Sequence, residues 1–169
     1  MVEHMSPPLF YDDDDIYKIL RSTNTIALVG ASPKWVRPSN FVMKYMQGKG
    51  FRVIPVNPGF EGKKILGENV YATLKDIPYK FDMIDIFRSS VAAEGIVDEA
   101  LDLGHDSGIK TIWMQLTVRN DVAAQKAVTE GLQVVMDRCP KIEYGRLFGE
   151  LGWSGVNSGI ITSKRRRLR

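Results

Sequence analysis

The sequence predicts a single-domain α/β protein: a doubly wound parallel sheet with helices on both faces, in three α/β/α layers. Two observations carry this. Short apolar, partly β-branched runs alternate with segments of helical spacing from Thr25 to Met136, with no linker between them. The length of 169 residues, with 44% hydrophobic and 25% charged residues, is that of one ordinary globular domain.

The elements follow in order. Asp12 to Asp15 precede Ile16, Tyr17, Ile19 and Leu20, which places carboxylates at the positive end of a short leading helix with its apolar residues on one face. Acids in that position are read as helix caps rather than as a metal cluster. Thr25 to Val29 reads as a strand buried on both faces and ending at Gly30. Pro38 suits a first helical position, and the helix runs to about Gln47 before Gly48 and Gly50. Phe51 to Asn57 is a second strand in which Pro55 marks a strand end, a bulge or an unpaired N–H. Pro58 to Gly67 is a loop, Asn69 to Tyr71 a short strand and Thr73 to Ile77 a helical turn. Phe81 to Phe87 is a strand, and Ser89 or Ser90 caps a helix that ends at Gly104. Ile109 to Leu116, Asp121 to Glu130 and Leu132 to Met136 read as strand, helix and strand.

Charge and cysteine usage narrow the function classes. Of the 23 Lys and Arg, five lie in Lys164 to Arg169; the other 18 face 20 acids, so the rest of the chain carries a net charge of −2. The folded body is not a polycation. Nucleic acid is disfavoured as a partner, and the basic tail reads first as a solvated end and second as a handle for a polyanion. No apolar run spans a bilayer, and Met1 to Phe10 lacks the order of a secretory signal, so no membrane association and a cytoplasmic location are expected. Cys139 is the one cysteine, which excludes an internal disulfide and a multi-thiolate zinc site.

Open parallel sheets bind ligands beyond the carboxyl ends of their strands, where strand order reverses. That rule selects Gly30-Ala31-Ser32-Pro33-Lys34 with Arg37, then Val56-Asn57-Pro58 with Lys63 and Lys64, then Phe87-Arg88, Gln115 with Arg119, and Asp137-Arg138-Cys139-Pro140-Lys141. A glycine turn with several cations on one edge points to an anionic ligand. Gly30 lets backbone approach a phosphate, Ser32 offers a hydroxyl, and the following helix start presents free N–H groups. Each of Arg37, Arg88 and Arg138 reads alone as a surface ion pair, and together as ligand contacts. The turn departs from the dinucleotide pattern G-x-G-x-x-G, and Asn57 stands where an NAD-binding domain holds an acid, which disfavours NAD.

At these residues the chain resembles the small stand-alone CoA-binding proteins, whose fold is similar to the CoA-binding Rossmann domain of the succinyl-CoA synthetase α-subunit. The resemblance lies in Ile26-Ala27-Leu28-Val29-Gly30-Ala31-Ser32-Pro33, Arg37-Pro38-Ser39, Val53-Ile54-Pro55-Val56-Asn57-Pro58, Asp85-Ile86-Phe87-Arg88, Trp113-Met114-Gln115-Leu116, Val118-Arg119-Asn120 and Val135-Met136-Asp137-Arg138-Cys139-Pro140-Lys141. It implies a Rossmann-like domain over residues 12–145, with extensions at 1–11 and 146–169. It also implies coenzyme A or acyl-CoA as the ligand, with its ADP portion against the Gly30 loop and Val56, Asn57 and Pro58. The pantetheine arm would pass Phe87, Arg88 and Gln115.

No catalytic constellation is legible, and a non-catalytic binder is favoured over an enzyme. His4 and His105 lack an oriented nucleophile partner, and Asp85 and Asp137 lack a second carboxylate at interpretable spacing. Cys139 reads either as a small buried hydrophobe or, with Arg138 and Lys141 lowering its pKa, as a thiolate able to form a mixed disulfide with CoA. Three functions stay open: a CoA carrier or redox-linked CoA sensor, an NAD(P)-dependent redox sensor or oxidoreductase, and a protein-interaction module with a vestigial pocket. Trp153, Val156, Ile160 and Ile161 need a cover, which a homodimer or the chain's own core would supply.

Overall fold

A computed structural model describes residues 10–149, and these form a five-stranded, all-parallel sheet between two layers of helices. Strands β1 (Thr25–Val29) and β2 (Arg52–Val56) flank helix α2 (Pro38–Gly48), and helix α1 (Asp13–Ser22) leads into β1. A small antiparallel hairpin of β3 (Lys64–Ile65) and β4 (Glu68–Asn69) follows. Then come β5 (Met83–Ile86), α3 (Ser90–Asp102), β6 (Thr111–Met114), α4 (Asp121–Thr129), β7 (Gln133–Val135) and α5 (Pro140–Leu147). The strand order β2-β1-β5-β6-β7 reverses between β1 and β5, which fixes the switch point beside the first turn.

Period-two alternation along each strand feeds two separate cores. Ile26, Leu28, Met83, Trp113 and Val135 face α1, α2 and α5, whereas Ala27, Ile84, Ile86, Ile112 and Met114 face α3 and α4. Four helix starts follow the sequence expectation. Asp12 caps α1 by accepting from the Asp14 amide, Ser89 caps α3, Asn120 caps α4, and Pro38 opens α2. The first-turn acids are committed to the fold: Asp13 pairs with Arg146 at 2.7 Å and Asp15 with Lys18 at 3.8 Å.

Pro55 sits inside β2 without breaking it, because β2 is an edge strand. Its carbonyl faces outward and accepts from the Tyr71 amide at 3.1 Å, so the missing N–H costs no bond to β1. The structure corrects two local readings. The segment taken as a loop to Gly67 contains the β3–β4 hairpin, whose turn residues Leu66 and Gly67 have φ of 47° and 87°. Positive φ at both central positions is the type I′ requirement, met here by Leu-Gly rather than the usual Asn-Gly. The expected strand at Asn69 to Tyr71 is correspondingly Glu68–Asn69, with Tyr71 making one isolated parallel bridge to Val56.

The second correction is α5, a helix that no sequence expectation covers and that crosses the expected domain end at residue 145. Tyr144 is fully buried, stacks on Phe148 at 4.2 Å, and meets Phe51 and Tyr45 edge-on at 5.6 and 6.3 Å. Leu147 and Phe148 belong to the same core, while residues 1–9 and 150–169, including His4, Trp153, Val156, Ile160, Ile161 and the basic tail, lie outside the described residues. Among the described residues no helix is long and apolar enough to cross a membrane.

A buried carboxyl group interrupts the strand core. Asp85 is paired in register with Leu28 and Trp113 on the α1/α2/α5 face and is 1% exposed. Gln115 Nε2 donates to both carboxyl oxygens at 3.0 and 3.1 Å, and burial pushes the pKa up to about 8 from the ordinary 3.8.

Two expectations follow. Tyr144→Ala should cost about 3–5 kcal/mol in urea unfolding, the range for loss of a buried aromatic, whereas a loss below about 1 kcal/mol would show α5 to be an appendage. Between pH 4 and 8 the folded chain keeps a proton on Asp85 that the unfolded chain has lost. That residue's contribution to stability therefore falls as pH rises, by up to about 1.4 kcal/mol per unit. Asp85→Asn should flatten the profile relative to the unsubstituted protein and be the more stable of the two at pH 8; parallel profiles would contradict the buried-carboxyl assignment.

Candidate functional site

The carboxyl ends of β1, β2 and β5 meet at one turn. Gly30 has φ +92°, and a Cβ there would collide with the Phe87 carbonyl oxygen and sit 3.1 Å from Arg88 Cδ. Only glycine fits, both for its φ and for this close approach. The Gly30 and Ala31 amides both donate to the Val56 carbonyl, at 2.9 and 3.3 Å, and the Phe87 amide donates to the Val29 carbonyl at 2.8 Å. The β1 turn is thus tied to the strand on either side.

Asn57 completes the clamp. Its Nδ2 donates to the Ala31 carbonyl at 2.8 Å while its Oδ1 accepts from the Gly59 amide at 2.9 Å, starting the 3₁₀ turn Pro58–Phe60. Asn40, buried in the first turn of α2, donates to the Ser32 carbonyl at 2.9 Å. Ser32 Oγ accepts from the Lys34 amide at 3.2 Å, which leaves its O–H to donate elsewhere. Two side chains that fix the loop, Asn40 and Asn57, therefore do so by holding its carbonyls. The sequence reading missed Asn40 altogether. Its signal was a polar residue on the core side of an amphipathic helix.

Above this frame the β1–α2 loop is open to solvent, with Pro33, Lys34 and Arg37 exposed and Arg88 exposed across the turn. Arg37 is the N-cap residue of α2 and makes no side-chain cap hydrogen bond, and the first turn of α2 contains no acid. The positive end of the α2 dipole and the cations of both loops share one edge of the sheet. Gly30, Ala31, Ser32, Pro33, Lys34, Arg37, Val56, Asn57, Pro58, Phe87 and Arg88 are accordingly gathered around the switch point.

Gln115, Arg138 and Cys139 form the neighbouring end of the edge, over β6 and β7. Gln115 and Cys139 are both 6% exposed, with Gln115 committed to Asp85. The Arg138 backbone joins the two strand ends: its amide donates to Met114 O at 3.4 Å and its carbonyl accepts from Trp113 Nε1 at 2.8 Å. Its guanidinium donates to the Asp137 carbonyl and lies 5.6 Å from the Tyr11 ring. Arg119, expected on the same edge, pairs with Asp121 at 3.0 Å. Thr117 and Asp137 both adopt positive φ, 68° and 55°, and lock together through the Thr117 amide and Asp137 Oδ1 at 2.7 Å.

Of the two readings of Cys139, the buried small hydrophobe fits the structure and the low-pKa thiolate does not. Burial pushes the thiol up, and the nearby Asp85 adds to the rise; the Lys141 and Ile142 amides and the Gln115 side chain oppose it without prevailing. Lys141 instead lies over the Tyr45 ring, 5.6 Å from its centroid. His105 is exposed in the 3₁₀ turn His105–Ser107, away from this edge at the entry to β6.

A Bacillus subtilis protein, uncharacterized protein YneT, is 33% identical over 130 residues, covering 77% of this chain and 92% of its own. The structure of a hypothetical protein from Pyrococcus horikoshii OT3 is 39% identical with a TM-score of 0.77, covering 85% of this chain and 98% of that one. A dinucleotide-forming acetyl-coenzyme A synthetase 1 from Candidatus Korarchaeum cryptofilum shares the fold at 21% identity and a TM-score of 0.56, over 70% of this chain and 28% of that one. The family described as CoA binding domain matches residues 24–145, from the start of β1 into α5. With most of the chain inside that match, the protein belongs to the CoA-binding domain family.

Proposed function

We propose that this chain binds coenzyme A or acyl-CoA without transforming it, as a carrier of the ligand. The observation that carries the reading is the close approach at Gly30. With no side chain at Gly30, the Gly30 and Ala31 amides bonded to Val56 and the loop carbonyls held from below, the chain from Ser32 to the start of α2 borders an open edge together with Lys34, Arg37 and Arg88. A diphosphate satisfies that arrangement: backbone N–H groups and a helix start supply hydrogen bonds, and guanidinium groups supply charge. The adenosine would lie toward Val56, Asn57 and Pro58, and the pantetheine arm would pass Phe87 and Arg88 toward Gln115.

The NAD(P) alternative lacks its ribose ligand, because Asn57 replaces the acid and both ends of its amide are engaged within the fold. The redox-sensor refinement requires a thiolate that reaches the ligand, whereas Cys139 is buried with its thiol form favoured. Carriage of the ligand is thus preferred over thiol chemistry with it.

Thermal unfolding with CoA, acetyl-CoA, NAD and NADP separates the readings. CoA at a hundredfold above its dissociation constant should stabilise the protein by about 2.7 kcal/mol, with no comparable gain from NAD or NADP. Arg88→Ala, at an exposed position, should weaken CoA binding about tenfold while leaving the unliganded protein's stability within about 0.5 kcal/mol. Stabilisation by NAD alone, or CoA binding indifferent to Arg88, would defeat the assignment.

A further inference from the structure

Helix α2 differs from the other four helices in composition: Pro38–Gly48 contains no acid at all. Counting from its N-cap, Arg37, Phe41, Lys44 and Gly48 recur at helical spacing and form one solvent-facing stripe roughly 16 Å long. Beside it runs the first turn of α5, and between the two helices lies a groove lined by Phe41, Lys44, Tyr45, Gly48, Lys49 and Lys141.

The groove is both cationic and apolar. Lys49 Nζ and Lys141 Nζ lie 5.2 and 5.6 Å from the Tyr45 ring centroid, so the ring holds two ammonium groups at the groove wall. Among the described residues no carboxylate pairs with Lys44 or Lys141. Phe41 is 47% exposed, and Ile142 at the rim is 49% exposed. Lys141 also stands in the first turn of α5, where the helix dipole favours an acid, and Cys139 gives that turn no side-chain cap hydrogen bond. The cation is held against its own helix's electrostatic preference, in a body whose net charge is slightly negative.

We propose that the α2–α5 groove is a docking surface for an acidic segment of a partner protein, with carboxylates against Lys44, Lys49 and Lys141 and an apolar side chain on Phe41. Charge complementarity selects the occupant. Three lysines spaced along the groove beside one exposed aromatic match an extended acidic peptide with a single apolar anchor. The groove starts one turn from Arg37, so a partner seated there would stand beside the open edge of the ligand site without using the residues assigned to it.

The test uses the full chain and a short synthetic peptide of glutamates flanking one phenylalanine. Amide resonances should shift along Phe41 to Lys49 and at Lys141 and Ile142, and raised salt should weaken the binding. The double substitution Phe41→Ala with Lys44→Glu should lower peptide affinity at least tenfold and leave CoA affinity unchanged. Both side chains are exposed on α2, so loss of binding would not reflect loss of folding. Three results would overturn the proposal: shifts confined to Lys164 to Arg169, CoA affinity falling in parallel in the double variant, or phosphatidylserine vesicles bound through these lysines while the peptide is ignored.

Discussion

Strand β1 lies between β2 and β5, and its last turn is gripped from both sides. The Gly30 and Ala31 amides reach across to Val56, and the Phe87 amide reaches back to Val29. This is possible only because the chain at Gly30 turns through a left-handed φ and leaves no side chain in the space the Phe87 carbonyl occupies. The residues on either side of the switch point inherit their positions from that contact. Without it the β1–α2 loop would lift from β5, and Arg88 would lose the surface over which its stem lies.

The two helical layers serve this edge unequally. On the α3/α4 side, both helix starts are closed by side chains, Ser89 and Asn120, and the cluster beneath is built largely from Ile, Val and Ala with Phe81 and two methionines. On the other side, α2 and α5 start at Arg37 and Cys139 without side-chain cap hydrogen bonds, and the buried acids Asp85 and Glu143 both lie there. Polar capacity is therefore concentrated on the face where an anionic ligand would sit. The neutral form of Asp85 keeps a buried negative charge off that face, since its pKa is pushed up to about 8.

Much of this was legible in the sequence, for physical reasons that also explain the gaps. The strands at Thr25, Phe51, Phe81, Ile109 and Leu132 announce themselves because strands buried on both faces read as continuous apolar runs. The Gly30 turn, the Val56-Asn57-Pro58 end and Phe87-Arg88 could be placed on one edge because parallel connections are right-handed and return each strand end to the same side. The β3–β4 hairpin was not legible, since Leu66 carries no turn signature and its positive φ is imposed by register. Helix α5 was hidden by its weak amphipathic pattern: with Tyr144, Gly145 and Glu143 all buried, tertiary packing rather than periodicity determines it. Of the two readings of Cys139, the structure favours the small buried hydrophobe, because sequence neighbours are not spatial neighbours: Lys141 turns to Tyr45, and burial pushes the thiol pKa up. Asp85 itself left a trace, an acid inside the run Met83 to Ile86, but not its partner Gln115, which is thirty residues away.

The central claim is that the loop following the β1 turn, from Ser32 to the start of α2, holds the diphosphate of CoA. Titrating the isotopically labelled chain with CoA and following backbone amide resonances tests it at the atoms concerned. The account predicts saturable shifts largest from Gly30 to Lys34, with smaller ones at Asn57 and Arg88. Saturable shifts centred elsewhere, or none at millimolar ligand with a dispersed spectrum, would contradict it.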